Sequence, residues 1–248
     1  MTDTSDARKI GRRTVLAAAG GAAAALTVGA AAPPKDADGT RNTAAAVCTL
    51  TTEMTQGPYY LDGALVRADI TEGKPGVPLK LVLTVVDAAC TPLPGALVEL
   101  WHADALGEYS GYVGNNGHHE PDDRTFLRGG VLTDSGGVAR FTTIYPGWYR
   151  GRCVHIHVKV HTGVTVTADG HFTGGSTVHT GQLFFAETVT AAVAKVSPYS
   201  TNTVSRTTLA QDSVYDGRGA VSGLLTLTAL GGSASSGYTG TLTLGVAG

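Results

Sequence analysis

Residues 153–161 read CVHIHVKVH, and this alternation constrains the fold more than any other stretch of the 248-residue chain. On an extended strand, successive side chains point to opposite faces. Val154, Ile156, Val158 and Val160 therefore share one face, and Cys153, His155, His157, Lys159 and His161 share the other. A helix would scatter both sets around its circumference. The apolar face has to be covered by a second layer, and the strand's backbone N–H and C=O groups have to be paired by neighbouring strands.

Candidate neighbours lie along the chain. VPLKLVLTVVDA alternates from Val77, GALVELWHAD from Ala96 and GVARFTTIYP from Gly137; GQLFFAETV from Gly181, GLLTLTAL from Gly223 and GTLTLGV near the C-terminus follow. The turn sequences CTPLPG, TDSGG and TADG punctuate them, and no long Lys/Glu/Leu-rich helical pattern interrupts. Short strands at regular spacing with turn signals point to a mainly β protein, an antiparallel β-sandwich forming a single domain. The domain is expected over residues 48–229, with 230–248 a Gly/Ser-rich loop and a C-terminal strand or tail. One long loop, 110–130, carries His118 and His119, which read as ordinary polar surface.

The first 32 residues stand apart from the fold. They combine a basic start, paired Arg12 and Arg13, an uncharged run from Thr14 and small residues at Ala30–Ala32, which resembles a twin-arginine export signal. The run is rich in Ala and Gly and so only weakly apolar, which argues against a membrane anchor. No stable membrane association is expected once it is removed, and the expected location is extracellular. Residues 33–47 read as a flexible terminus. In an oxidising compartment Cys48 and Cys90 can pair as a disulfide, leaving Cys153 as a buried free thiol. A formal net charge of −2 without a basic patch gives no reason to expect a nucleic-acid partner.

Two imidazoles at i and i+2 on a strand lie roughly 6–7 Å apart at the backbone, close enough for their side chains to meet on one metal. His-x-His alone is equally a polar strand face, and Lys159 points to a face that is wet beyond His157. The flanking residues sharpen the choice. TIYPGWYRGRC places Tyr149 six residues and Arg152 three residues before His155, and Tyr109 follows the strand around Val98 and Trp101, both read as core. A phenol titrates near 10, so a tyrosinate ligand at neutral pH needs a hard, strongly Lewis-acidic cation. Two Tyr and two His together select Fe(III) over zinc or calcium.

The blocks QGPYYLDG, PLPGALVELWHADALGEY, TFLRG, TIYPGWYRGRCVHIHVKV and HTGQLFF, in that order, make residues 48–187 resemble the intradiol ring-cleavage dioxygenases, in particular their shorter extracellular bacterial type. Gly95, Glu99, Gly107 and Tyr109 fall on the family signature. The resemblance implies one non-haem Fe(III) per chain, held by Tyr109, Tyr149, His155 and His157. Tyr149 rather than Tyr145 follows the TIxPGxY-like run, and Tyr112 misses the Gly-x-Tyr spacing. Both rejected tyrosines read as buried phenols at the sandwich edge. Arg152 matches the family's active-site arginine, Gln182 a residue that supports it, and Tyr59 and Tyr60 a segment that approaches the pocket. His161 continues the metal face by parity, but the family uses only the first two histidines.

The activity implied is insertion of both atoms of O₂ into a small catechol-type aromatic diol, giving a cis,cis-muconate-type diacid, with Tyr149 as proton acceptor. Two other readings compete: a secreted β-sandwich module that binds without catalysis, and a zinc or copper site on the His-x-His strand. The residues carry no indication of oligomeric state.

Overall fold

The protein is described by a computed structural model over residues 48–112 and 123–247. The expected export signal, the terminus 33–47 and His118 and His119 lie outside the described residues. Among the described residues, ten strands and one short α-helix are laid down in chain order: β1 (Pro78–Val86), β2 (Leu97–Trp101), β3 (Arg128–Leu132), β4 (Val138–Ile144), β5 (His155–Thr162), β6 (Thr165–Val166), β7 (Phe172–Thr173), β8 (Ser176–Phe184), α1 (Glu187–Val193), β9 (Thr226–Ala229) and β10 (Tyr238–Gly245).

Two four-stranded sheets, ordered β4-β1-β10-β9 and β3-β2-β5-β8, form the two layers, with β6 and β7 paired as a separate hairpin. The core lies between the layers. Leu79, Leu81, Leu83 and Val85 of β1 pack there with Val98 and Leu100 of β2, Ile156, Val158 and Val160 of β5, and Leu183 of β8, all fully buried. Fully burying an aliphatic side chain of this size stabilises the fold by roughly 1.5–3 kcal/mol. That gain fixes which face of β5 turns inward, because a one-residue register slip would exchange its valines for its histidines.

Several elements differ from the sequence reading. The strand expected from Gly181 starts earlier, at Ser176, and stops at Phe184; the AETV segment instead opens α1, whose Thr190 and Val193 are buried. Strand β3 contains two glycines, and β6 and β7 are two residues each; all three are too short or too Gly-rich to show period-two alternation. The segment from 230 onward supplies β10, an interior strand that pairs in parallel with β1 and antiparallel with β9. The remaining ladders in both sheets are antiparallel. Cys48 and Cys90 form a disulfide with an S–S distance of 2.08 Å, and Cys153 is a buried free thiol.

Candidate metal centre

The polar face of β5 lies on the outer side of its sheet, and the strand register decides what surrounds it. Trp101 of β2, His157 of β5 and Gln182 of β8 stand in one row across the sheet, and His155 stands opposite Phe184. The Trp101 indole stacks on the His157 ring at 4.9 Å and 4°. Val98 is core, as expected, but Trp101 points the other way and walls the candidate site.

Both tyrosines arrive on loops, and the two loops are locked together. After β2 the chain makes a tight turn in which Asp104 Oδ1 accepts the Leu106 and Glu108 N–H groups at 2.9 and 3.0 Å. Lys74 holds the other carboxylate oxygen at 2.6 Å. The Asp104 carbonyl then accepts N–H groups from both Gly107 and Gly147, each at 3.0 Å, tying the Tyr109 loop to the Tyr149 loop. Asn202 donates its amide to Leu106 O and Trp148 O, at 3.3 and 2.9 Å, and closes the seam from outside. Glycine is required at 107: its φ is +90°, and a Cβ there would sit 2.2 Å from Trp148 O. The Gly-x-Tyr spacing thus has a packing reason.

Tyr109, Tyr149, His155 and His157 converge. His155 Nε2 lies 3.4 Å from Tyr109 Oη, 3.3 Å from Tyr149 Oη and 3.2 Å from His157 Nε2. Its other ring nitrogen, Nδ1, is 2.7 Å from the Cys153 carbonyl. A carbonyl only accepts, so Nδ1 carries the proton and Nε2 presents a lone pair. Burial, followed by the Arg152 charge, holds His155 neutral, with its pKa lowered to about 3. Burial and the neighbouring His155 hold His157 well below the ordinary imidazole range. Three potential donors therefore crowd one lone pair, and His157 Nδ1 is buried without a partner. A proton network satisfies this arrangement badly; a cation at the point of convergence satisfies it well.

The donor set also bears on which cation fits. Among the described residues no cluster of three or more His, Cys, Asp or Glu side chains could hold a metal, so any ion here depends on the phenols. Burial pushes Tyr149 up to about 12 despite the opposing Arg152 charge, and pushes Tyr109 well above the ordinary phenol range. Only a cation that pays back this cost on binding oxygen anions suits two such phenols, which is the behaviour of a hard trivalent ion.

Arg152 is half-buried beside the cluster. Its Nη2 donates to Gln182 Oε1 at 2.5 Å, and its Nε donates to Asp212 Oδ2 at 2.9 Å. Gln182 in turn donates to Thr55 O at 2.9 Å, holding the N-terminal segment over β8. Burial opposes ionisation of Asp212, but hydrogen bonds from Arg152 and the Cys153 N–H outweigh it and keep the carboxyl well below its ordinary range. Tyr59 stacks on Tyr109 with ring centroids 4.3 Å apart, and Tyr60 packs edge-on against Trp101 at 5.0 Å. Sequence reasoning missed Asp104, Asn202 and Asp212. Asp212 lies 60 residues from Arg152 in an unpatterned stretch, and no local signal links the two.

The face beyond His157 is not wet, contrary to the reading from Lys159. Lys159 and His161 are buried at 8% and 6% exposure. The Lys159 ammonium lies 3.5 Å over the Tyr60 ring, and His161 Nε2 meets Glu99 Oε2 at 2.8 Å. Tyr60, from far earlier in the chain, and Phe172, in the β6–β7 hairpin that follows β5, cover this end of the sheet. His161 is thereby engaged away from the four-residue cluster. Tyr145 is fully buried between the layers, its hydroxyl 2.8 Å from Thr190 Oγ1, and Tyr112 stacks edge-on with Tyr59 at 5.6 Å.

Known proteins resemble the chain in both sequence and structure. A family model described as Dioxygenase matches residues 55–196. Catechol 1,2-dioxygenase of Acinetobacter baylyi is 32% identical over 152 residues, which are 52% of this chain and 46% of that protein. The chain spans about half the length of the curated relatives it matches, or less. Among solved structures, an intradiol ring-cleavage dioxygenase from Tetranychus urticae superposes with a TM-score of 0.71 at 30% identity, covering 81% of this chain and 95% of that one. The dioxygenase domain of a dioxygenase carbohydrate-binding protein fusion from the cellulolytic bacterium Streptomyces sp. SirexAA-E superposes at 0.54 and 28% identity, covering 80% and 99%.

Proposed function

The chain belongs to the intradiol ring-cleavage dioxygenase family, and on that premise we propose that it is a non-haem Fe(III) enzyme. It inserts both atoms of O₂ into a catechol-type diol to give a cis,cis-muconate-type diacid. The observation that carries this reading is the convergence of a buried phenol, a half-buried phenol and two neutral imidazoles: Tyr109 Oη, Tyr149 Oη and His157 Nε2 all lie within 3.4 Å of His155 Nε2.

Tyr109, Tyr149, His155 and His157 would hold the iron. Bound Fe(III) would supply a Lewis acid that makes both phenolates accessible and draws electron density from a diol. The rest follows from the chain's own residues. His155 keeps its lone pair on Nε2 because Cys153 O holds the Nδ1 proton. Tyr149 Oη is the proton acceptor for the incoming diol. It is the less buried of the two phenols and so the more accessible to a diol, whereas Tyr109 is closed in beneath Tyr59. The Arg152 guanidinium, held by Gln182 and Asp212, is a preorganised cation for negative charge developing on the diol oxygens. Trp101 and Tyr59 stack on His157 and Tyr109 and keep water from those ligands. Zinc or copper on the imidazoles alone would leave the Tyr109 and Tyr149 phenols with no role.

Export from the cell accords with the twin-arginine-like residues 1–32 and with the disulfide, which persists in oxidising compartments. Iron analysis with oxygen uptake against a panel of catechols, products identified, tests the function. One iron per chain, a red-brown protein and ring-opened diacid are expected. A folded, colourless protein that takes up no oxygen with any catechol would refute it, and leave the non-catalytic binding module.

A further inference from the structure

Asp212 belongs to a stretch that follows the family-matched region 55–196, yet it makes the densest set of contacts at the arginine. Its Oδ2 accepts from Arg152 Nε at 2.9 Å and from the Cys153 N–H at 2.7 Å. Its Oδ1 accepts from the Val214 and Tyr215 N–H groups at 2.8 and 3.0 Å. The carboxylate is therefore held on two sides, by the start of β5 and by its own loop, and its side chain has 0% exposure. The loop is fixed in turn. A capping box between Thr208 and Gln211 closes the 3₁₀ turn just before Asp212, and Tyr215 packs against Phe184 at 4.9 Å.

The guanidinium has five N–H donors in one plane. Asp212 takes Nε and, through Oδ1 at 3.4 Å, shares Nη2 with Gln182, while Nη1 makes no hydrogen bond among the described residues. With Gln182 alone, the plane could swivel about a single contact. Two anchors on adjacent nitrogens fix both its position and its tilt.

We propose that Asp212 is a positioning residue for ring cleavage: by holding Arg152 Nε it orients the guanidinium so that the unpaired Nη1 group meets the anionic diol in one fixed direction. This rests on the ring-cleavage reading above. Asp212 does not touch the diol and acts entirely through Arg152.

The test is Asp212→Asn in the iron-loaded full-length protein, alone and in an Arg152→Met background, with hydrogen exchange at Arg152 Nε–H followed in the metal-free protein. Loss of one charge-assisted hydrogen bond corresponds to a drop of about tenfold or more in kcat. KM is expected to change less, and the resting visible spectrum to stay as in the wild type. In the Arg152→Met background the same substitution is expected to have no further effect, and Arg152 Nε–H is expected to exchange at least tenfold faster in Asp212→Asn. An unchanged kcat, or an equal loss in both backgrounds, overturns the role of Asp212 and leaves the ring-cleavage reading standing. A wild-type protein that cleaves no diol overturns both. Should Asp212→Asn fail to fold, exchange in the wild type still decides: an Arg152 Nε–H exchanging as fast as that of a free arginine overturns the proposal, and a protected one supports it.

Discussion

Replacing Gly107 by alanine tests whether the two tyrosine loops form one unit. The backbone at 107 has φ +90°, so any Cβ incurs the left-handed penalty of roughly 1–2 kcal/mol. Gly151 has nearly the same φ, +86°, but a Cβ there would meet nothing within 4 Å, whereas at 107 it would lie 2.2 Å from Trp148 O. The clash is with backbone, so no side-chain rotation relieves it, and the loops must part by about an ångström. Parting strains the Gly147 N–H bond to Asp104 O and the Asn202 bonds to Leu106 O and Trp148 O. Neutral hydrogen bonds contribute roughly 1 kcal/mol each. Gly107→Ala is therefore expected to cost about 3–5 kcal/mol, against about 1–2 kcal/mol for Gly151→Ala. Because a domain carries about 5–15 kcal/mol in total, the variant should still fold, with Tyr109 and Tyr149 displaced. Urea unfolding of the metal-free proteins measures the first effect, and iron content with visible tyrosinate absorption measures the second. If the two variants unfold within about 0.5 kcal/mol of each other, a margin ordinary for neutral surface changes, and both bind iron fully, then loop contact is not what assembles the site.

Three further outcomes are expected. Tyr149→Phe should weaken the visible tyrosinate band and slow catechol binding, while Tyr145→Phe, whose hydroxyl bonds to Thr190 in the core, should keep the colour; the opposite pattern in absorption spectra would exchange their roles. His102 is fully buried between Ala103 O and Thr143 Oγ1, and burial lowers its pKa from 6.5 to about 4. Between those values the unfolded chain binds the extra proton, so stability is full above pH 6.5 and falls as pH drops. His102→Gln should remove about 2–3 kcal/mol of the difference in urea unfolding free energy between pH 7 and pH 4. Reducing the Cys48–Cys90 bridge, which closes a 42-residue separation, should lower stability by about 2–4 kcal/mol, read as a shift of the urea midpoint with reductant.

Alternation is a local property, and what depends on it was legible in the chain. The valines of 153–161 do face the core, and the parity of the histidines does put His155 and His157 together on the other side. The tyrosines could be named as candidates, but their assignment as ligands came through the resemblance, because Tyr109 and His155 are 46 residues apart and no periodicity spans that distance. Parity also treated Lys159 and His161 as equal to the first two histidines and as wet. It cannot see cover, and the cover comes from Tyr60 and Phe172, on other segments.

The interior strand β10 shows the same limit. Its leucines alternate, but its place between β1 and β9 is set by pairing with a strand more than 150 residues earlier. Asp212 shows the limit most sharply: a carboxylate in a stretch without pattern becomes the main anchor of Arg152 once the loop folds back on β5. Residue order is enough to specify which face of a strand is apolar, since that needs only neighbours two apart. Which polar groups share a burial site, and so which must be satisfied by one another or by a cation, depends on segments that meet only after the sheets have packed.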